Sequence, residues 1–153
     1  MIVFLDTGIL GLICSPKNDG EAGECKAWLY KLLAKSVYVV TSDLCDYEVR
    51  RGLLLAASKN PKLSGLENLE TLQKIIDFLP LTKPAMKRAA QLWVDSRTQG
   101  KLTAAAENID ADIIIAAQYQ LLKEEYPGRY LAIATTNVKH LSQFAEAREW
   151  HSI

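Results

Sequence analysis

The 153-residue chain has three cysteines and no CxxC spacing among them. Its two histidines, His140 and His151, do not complete a plausible zinc set with Cys14, Cys25 and Cys45. A disulfide scaffold and a structural zinc site are disfavoured, and reduced thiols in a cytoplasmic protein are expected. Neither sign of charge is in excess, since Lys plus Arg and Asp plus Glu are both 18. That balance disfavours a protein that coats nucleic acid with uniform positive charge; steering of a polyanion needs a local patch. No apolar run approaches the ~20 residues that span a bilayer. The first residues lack the charged head and cleavage site of a secretion signal. Internal repeats, low-complexity tracts and linkers are also missing, so one domain over residues 1–153 is expected.

What the chain does have is enough apolar sequence for a core: 49% of residues are hydrophobic. A domain of this size buries roughly 68–70% of its unfolded surface. Short apolar runs at 2–5, 37–40, 78–81 and 130–134 read as strands. Helical spacing covers 24–35, about 42–57, 66–76, 84–99 and 109–125. Tyr47, Leu44, Leu54 and Leu55 are core candidates on the second of these. Polar residues 15–23 and 101–108 read as loops, 138–146 as a short helix or turn, and 150–153 as a last edge strand. Pro80 assigns the 78–81 strand to an edge. Strands alternating with helices imply an α/β fold, with a mainly parallel sheet covered on both faces.

In such a sheet the carboxyl ends of the strands share one edge, where ligands bind. Asp6 directly follows the first apolar run, and Asn137 closely follows the fourth. Glu48 lies inside the helix that opens near Ser42, and Asp112 immediately precedes Ile113-Ile114-Ile115. Three carboxylates brought together at ~4 Å would repel by roughly 4 kcal/mol per pair at an effective dielectric of about 20. A divalent cation relieves that repulsion, so the pattern points to metal-dependent chemistry on phosphodiesters.

Each residue also has a plain structural reading. Asp6 can form an Asx-turn or cap a helix, and Thr7 can orient its carboxylate or serve as a turn hydroxyl. Glu48 can pair with Arg50 or Arg51 on a surface, and Asp110 and Asp112 can cap the helix they open. Asn137 can be a turn residue, and His140 a solvated loop histidine. Arg50, Arg51, Lys101 and Lys139 are candidate phosphate contacts or ordinary surface cations. A haloacid-type phosphatase needs a second Asp where Gly8 stands, and the acidic pair and late Lys of a receiver domain are missing.

Four stretches together resemble the PIN-domain nucleases, most closely the VapC-like toxins of bacterial toxin–antitoxin pairs. Phe4-Leu5-Asp6-Thr7-Gly8-Ile9-Leu10 resembles the opening LDTNIL stretch, with Gly8 in place of Asn. Asp46-Tyr47-Glu48-Val49-Arg50-Arg51-Gly52 resembles AEIRRG, Asp110 to Ala117 resembles DADALIAA, and Thr135 to Leu141 resembles TRNVRDF. The resemblance covers nearly the whole chain. It implies a single-domain, three-layer α/β/α sandwich and Mg2+- or Mn2+-dependent ribonuclease activity. It also implies a homodimer and a small antitoxin partner. Asp6, Glu48 and Asp112 are the implied metal ligands, and these three with Asn137 the implied catalytic set. Asn137 stands where many relatives have a fourth acid, and His140 where an Asp is common. A catalytically degenerate domain that binds RNA or protein is the alternative expectation.

Overall fold

The first strand, β1 (Ile2–Leu5), consists of four apolar residues that are all fully buried. An uninterrupted apolar run of this kind suits a central strand of a parallel sheet, where both faces are covered. The computed structural model, which describes residues 1–62, 65–100 and 106–153, places it there. β1 pairs with β2 (Tyr38–Ser42) on one side and β4 (Leu131–Thr135) on the other, so that Phe4 lies between Val40 and Ile133. The edges are β3 (Asp77–Leu79) and β5 (Ala147–Glu149). The sheet order is β3-β2-β1-β4-β5, and every pairing is parallel.

Among the described residues seven helices connect these strands: α1 (Thr7–Cys14), α2 (Gly20–Ala34), α3 (Asp43–Lys59), α4 (Gly65–Leu72), α5 (Lys83–Thr98), α6 (Ala106–Glu125) and α7 (Val138–Leu141). From β1 to β3 the chain winds in one direction across the sheet; from β3 to β5 it returns in the other. Right-handed crossovers then place α1 to α4 on one face and α5 to α7 on the opposite one. Helix contacts follow the same division: α1 packs on α2, α3 and α4, and α5 packs on α6. The result is the expected three-layer α/β/α sandwich. The winding reverses between β1 and β4, the kind of switch point at whose carboxyl ends parallel sheets bind ligands.

Local signals explain the helix starts. Ser42 ends β2 and accepts from the Leu44 amide, and Asp43 and Asp46 occupy the positive end of α3. Thr82 accepts from Ala85 N at the start of α5, with Pro84 in the first turn. Pro80 follows β3 directly, at the sheet edge where a missing amide donor is tolerated.

Several sequence expectations are corrected. Helical spacing does not mark α1, because Thr7–Cys14 contains two glycines and is almost uniformly apolar; the cap reading of Asp6 is the one sequence signal for it. Helix α2 begins at Gly20, inside the predicted loop, where φ is +59° and glycine is the favoured residue. Of the loop expected over 101–108, residues 106–108 belong to α6 and the remainder lie outside the described residues. The last strand is Ala147–Glu149, and Trp150–Ser152 forms a 3-10 turn instead of a strand. Tyr47, Leu54 and Leu55 are not core residues: they are 58%, 53% and 60% exposed. The buried line of α3 is Cys45 and Val49, with Leu44 and Leu53 partly covered beside it.

No described helix is long and apolar enough to cross a membrane. All three cysteines are free thiols in buried positions.

This division of the apolar residues is testable by urea unfolding. Leu69 of α4 is fully buried in the main core, so Leu69→Ala should lower stability by about 2–5 kcal/mol. Leu55→Ala should stay within about 0.5 kcal/mol of wild type. Equal losses would contradict the burial pattern.

Candidate active site

Asp6 sits at the reversal of the sheet winding. Its amide donates to Ala134 O at the end of β4, and its own carbonyl accepts from Leu10 N within α1. The residue ends β1 and caps α1, with Oδ1 accepting from Thr7 N at 2.7 Å. The other carboxylate oxygen accepts from the Thr135 hydroxyl at 2.6 Å. Thr135 is the last residue of β4 and is completely buried, and Asp6 is only 8% exposed. Thr41 adds a third strand end, donating from Oγ1 to Leu5 O at 2.8 Å. Hydroxyls thus tie β2, β1 and β4 together at the switch point.

Thr7 extends the network to α3, since its Oγ1 donates to Glu48 Oε2 at 2.6 Å. Sequence reasoning expected Glu48 to border the core because of Leu44 and Tyr47. It does border the core, but beside Cys45 and Val49. Its other oxygen is 3.8 Å from Arg51 Nη2. Arg50 is not available to a phosphate, because Asp46 grips it through Nε and Nη2 and Glu70 holds Nη1. That cluster joins α3 to α4. Arg51 is the more open of the two guanidinium groups, with a side chain 61% exposed.

Asp112 enters from the opposite layer on α6. Its Oδ2 lies 3.8 Å from His140 Nδ1. Asn137 Nδ2 is 3.0 Å from the same ring nitrogen. The Asn137 side-chain amide and the His140 ring are thus paired with each other. At 3.8 Å the His140 ring and the Asp112 carboxylate are near neighbours without a closed hydrogen bond. Thr135 Oγ1 accepts from Asn137 N, which joins the Asn137–His140 pair to the Asp6 network.

Electrostatics link the three acids. Burial raises the pKa of Asp6 above its ordinary value; Thr135 and Thr7 oppose that rise, and the charge on Glu48 adds to it. Burial also pushes Asp112 up to about 6, with Asp6 and Glu48 reinforcing the shift and a charged His140 opposing it. All three carboxylates therefore contribute to one local field, although they come from β1, α3 and α6. Among the described residues, no three acidic, histidine or cysteine side chains are gathered closely enough to be a ready metal-ligand set. The donors themselves are carboxylate, amide and hydroxyl oxygens, the hard type that Mg2+ and Mn2+ prefer.

The remaining candidates separate cleanly. Asp110 is exposed and lines an apolar cavity of about 500 Å3 with α5 residues such as Met86 and Trp93. Cys45 lies under Thr7 and Thr41, and burial pushes its thiol up to about 12, which leaves it unreactive. Gly8 has little room for a side chain, because a Cβ there would lie 3.1 Å from Thr136 Oγ1. Sequence reasoning did not single out Thr135 or Thr41. The available signal was a hydroxyl closing an otherwise apolar strand, as both Leu131–Thr135 and Tyr38–Ser42 display.

The arrangement is a three-layer α/β/α fold that other solved proteins share. Solved structures that share it along nearly their whole length include three complexes. VapBC2 from Rickettsia felis, bound to a DNA fragment from their promoter, is 18% identical with a TM-score of 0.65, covering 98% of this chain and 99% of that one. FitAcB from Neisseria gonorrhoeae is 20% identical with a TM-score of 0.63, covering 99% of each. VapBC-1 from nontypeable Haemophilus influenzae is 17% identical with a TM-score of 0.66, again covering 99% of each. At these identities the likeness establishes the fold. No protein-family model matches the chain. No curated protein matches it by sequence.

The raised pKa of Asp112 has a definite sign in folding. Between about 4 and 6 the folded state holds a proton that the unfolded chain has lost, so stability falls as pH rises through that window. In EDTA, Asp112→Asn should be more stable than wild type at pH 8, by up to about 3 kcal/mol. The gain should vanish below pH 4. Denaturant titrations at both pH values check this; a less stable variant at pH 8 would show that Asp112 carries no electrostatic penalty.

Proposed function

We propose that this protein is a divalent-metal-dependent endoribonuclease that hydrolyses RNA phosphodiesters, and that it is the toxin of a toxin–antitoxin pair. What supports the reading is that Asp6, Glu48 and Asp112 lie near enough for their charges to act on one another, with Thr135 and Thr7 bonding to Asp6 and Glu48. Such a cluster is unfavourable alone and favourable around a cation. Support for the toxin assignment comes from the four sequence stretches and from the shared fold with VapBC and FitAB structures.

Asp6, Glu48 and Asp112 would hold Mg2+ or Mn2+. Bound there, the ion supplies Lewis-acid chemistry, activating water and neutralising phosphoryl charge. Asp6 is fixed by Thr7 N and Thr135 Oγ1, which leaves its other lone pairs for the ion. Thr7 holds one oxygen of Glu48, and the second lies 3.8 Å from Arg51 Nη2. Asp112 closes the site from α6. Asn137 orients water or substrate beside it, and its amide is paired with the His140 ring. A cognate antitoxin, a homodimer and a cytoplasmic location are part of the same proposal.

The second reading is a degenerate PIN-like domain that binds RNA or protein without cutting. The Asn137–His140 contact favours it, because two positions that are often acidic in relatives satisfy each other here.

RNA cleavage separates the two. Wild type with Mn2+ or Mg2+ should cut a pool of structured RNAs, EDTA should abolish cutting, and Asp6→Asn should remove it while keeping the α1 cap. Retained metal-dependent activity in Asp6→Asn would rule out the assignment. Thr7→Val should lower kcat/KM by roughly 10–100-fold, the range for residues that orient metal ligands. An unchanged kcat/KM would show that Thr7 does not position Glu48.

A further inference from the structure

Tyr47 and Arg51 form an exposed aromatic–cationic pair on the turns of α3 that carry Glu48. Tyr47 is among the most exposed aromatic residues of the described chain, beside an acid cluster that is mostly buried. The Arg51 guanidinium carbon lies 5.3 Å from the centre of the Tyr47 ring. The same guanidinium reaches to 3.8 Å from Glu48. One side chain therefore connects the ring to the candidate reaction centre. Arg50, its neighbour in sequence, is fully engaged by Asp46 and Glu70, so the two arginines are not equivalent. The pair also has no counterpart in the AEIRRG stretch that this segment resembles, where alanine occupies the position of Tyr47.

We infer that Tyr47 and Arg51 form a subsite for an unstacked nucleobase flanking the scissile phosphate of single-stranded RNA. The inference rests on the ribonuclease reading above and names the form of its substrate. A phenol ring standing free in water offers a face on which any base can stack, and such stacking tolerates sequence. Duplex RNA keeps its bases stacked on one another and cannot use that face. A polyanion approaching three carboxylates also needs a cation at the rim. Arg51 meets that need: its long 3.8 Å contact with Glu48 is easily exchanged for a backbone phosphate. The ring then sets where the base lies, and Glu48 sits beside the adjoining phosphodiester. Leu54 and Leu55 extend the exposed face farther along α3, away from the acids, and are not needed for this subsite.

The test uses the full-length protein, with RNA binding followed by fluorescence anisotropy in EDTA and cleavage kinetics in Mn2+. The probes are a short single-stranded RNA and the same sequence as a duplex. Tyr47→Leu should weaken single-strand binding and raise KM by roughly ten-fold, the scale of one lost base stack, with a much smaller effect on kcat. Tyr47→Trp should retain wild-type behaviour. Arg51→Ala should weaken binding and make it less dependent on salt. Replacing one flanking base by an abasic sugar should erase the difference between Tyr47→Leu and wild type. If Tyr47→Leu binds and cleaves single strands as wild type does, the subsite is wrong while the ribonuclease reading stands. If wild type neither binds nor cuts RNA, both fail. If Tyr47→Leu instead turns a sedimenting dimer into a monomer with RNA binding unchanged, the ring belongs to an interface between copies and the inference is overturned.

Discussion

The buried carboxylate of Asp6 is the constraint around which the rest of this structure is arranged. A charge placed where β1 ends, at 8% exposure, has to be compensated by its surroundings. The α1 amide and the Thr135 hydroxyl supply two hydrogen bonds, one from the following helix and one from the neighbouring strand. The second of these bonds exists only because β1 and β4 are adjacent at the reversal of the winding. The topology and the chemistry of the switch point are therefore one problem with one solution.

Compensation is incomplete, and the incompleteness carries the functional meaning. Glu48 adds negative charge instead of removing it, Asp112 faces the same field, and burial already disfavours ionisation of Asp6 and Asp112. Folding energy from the apolar layers holds these groups in place: fully buried Phe4, Ile133, Leu10 and Ile115 come from β1, β4, α1 and α6, the elements that carry or flank the acids. A protein selected for stability alone would gain by neutralising this corner. Retaining three acids there makes sense if a cation completes the arrangement. In the same region Arg50 is fully committed to joining α3 and α4, whereas Arg51 and Tyr47 remain turned to solvent beside Glu48.

The fold was legible wherever short-range pattern and long-range burial agree. The run Ile2–Leu5 could only be a buried strand, and Pro80 marked an edge. The uniformly apolar, glycine-containing α1 hid its helix, because periodicity is uninformative when every face is covered. The outward turn of Tyr47, Leu54 and Leu55 was also hidden: apolar character alone does not say which side of a helix the core lies on. At the site, Asp6, Glu48 and Asp112 stood out as acids next to strand ends or at the start of a buried helix. Among their hydroxyl supports Thr7 stood out as able to orient the Asp6 carboxylate, but its bond to Glu48 did not, and neither did Thr135. Thr135 and Thr7 act across 129 and 41 residues of sequence, and a threonine at a strand end carries no mark of its distant partner.

Mn2+ binding to the metal-free protein, read by electron paramagnetic resonance across wild type, Asp6→Asn, Glu48→Gln and Asp112→Asn, tests the central claim most directly. The account predicts that wild type binds the ion and that each neutralised carboxylate weakens binding substantially. Undiminished binding in all three variants, or no binding by wild type, would contradict a cation site built from Asp6, Glu48 and Asp112.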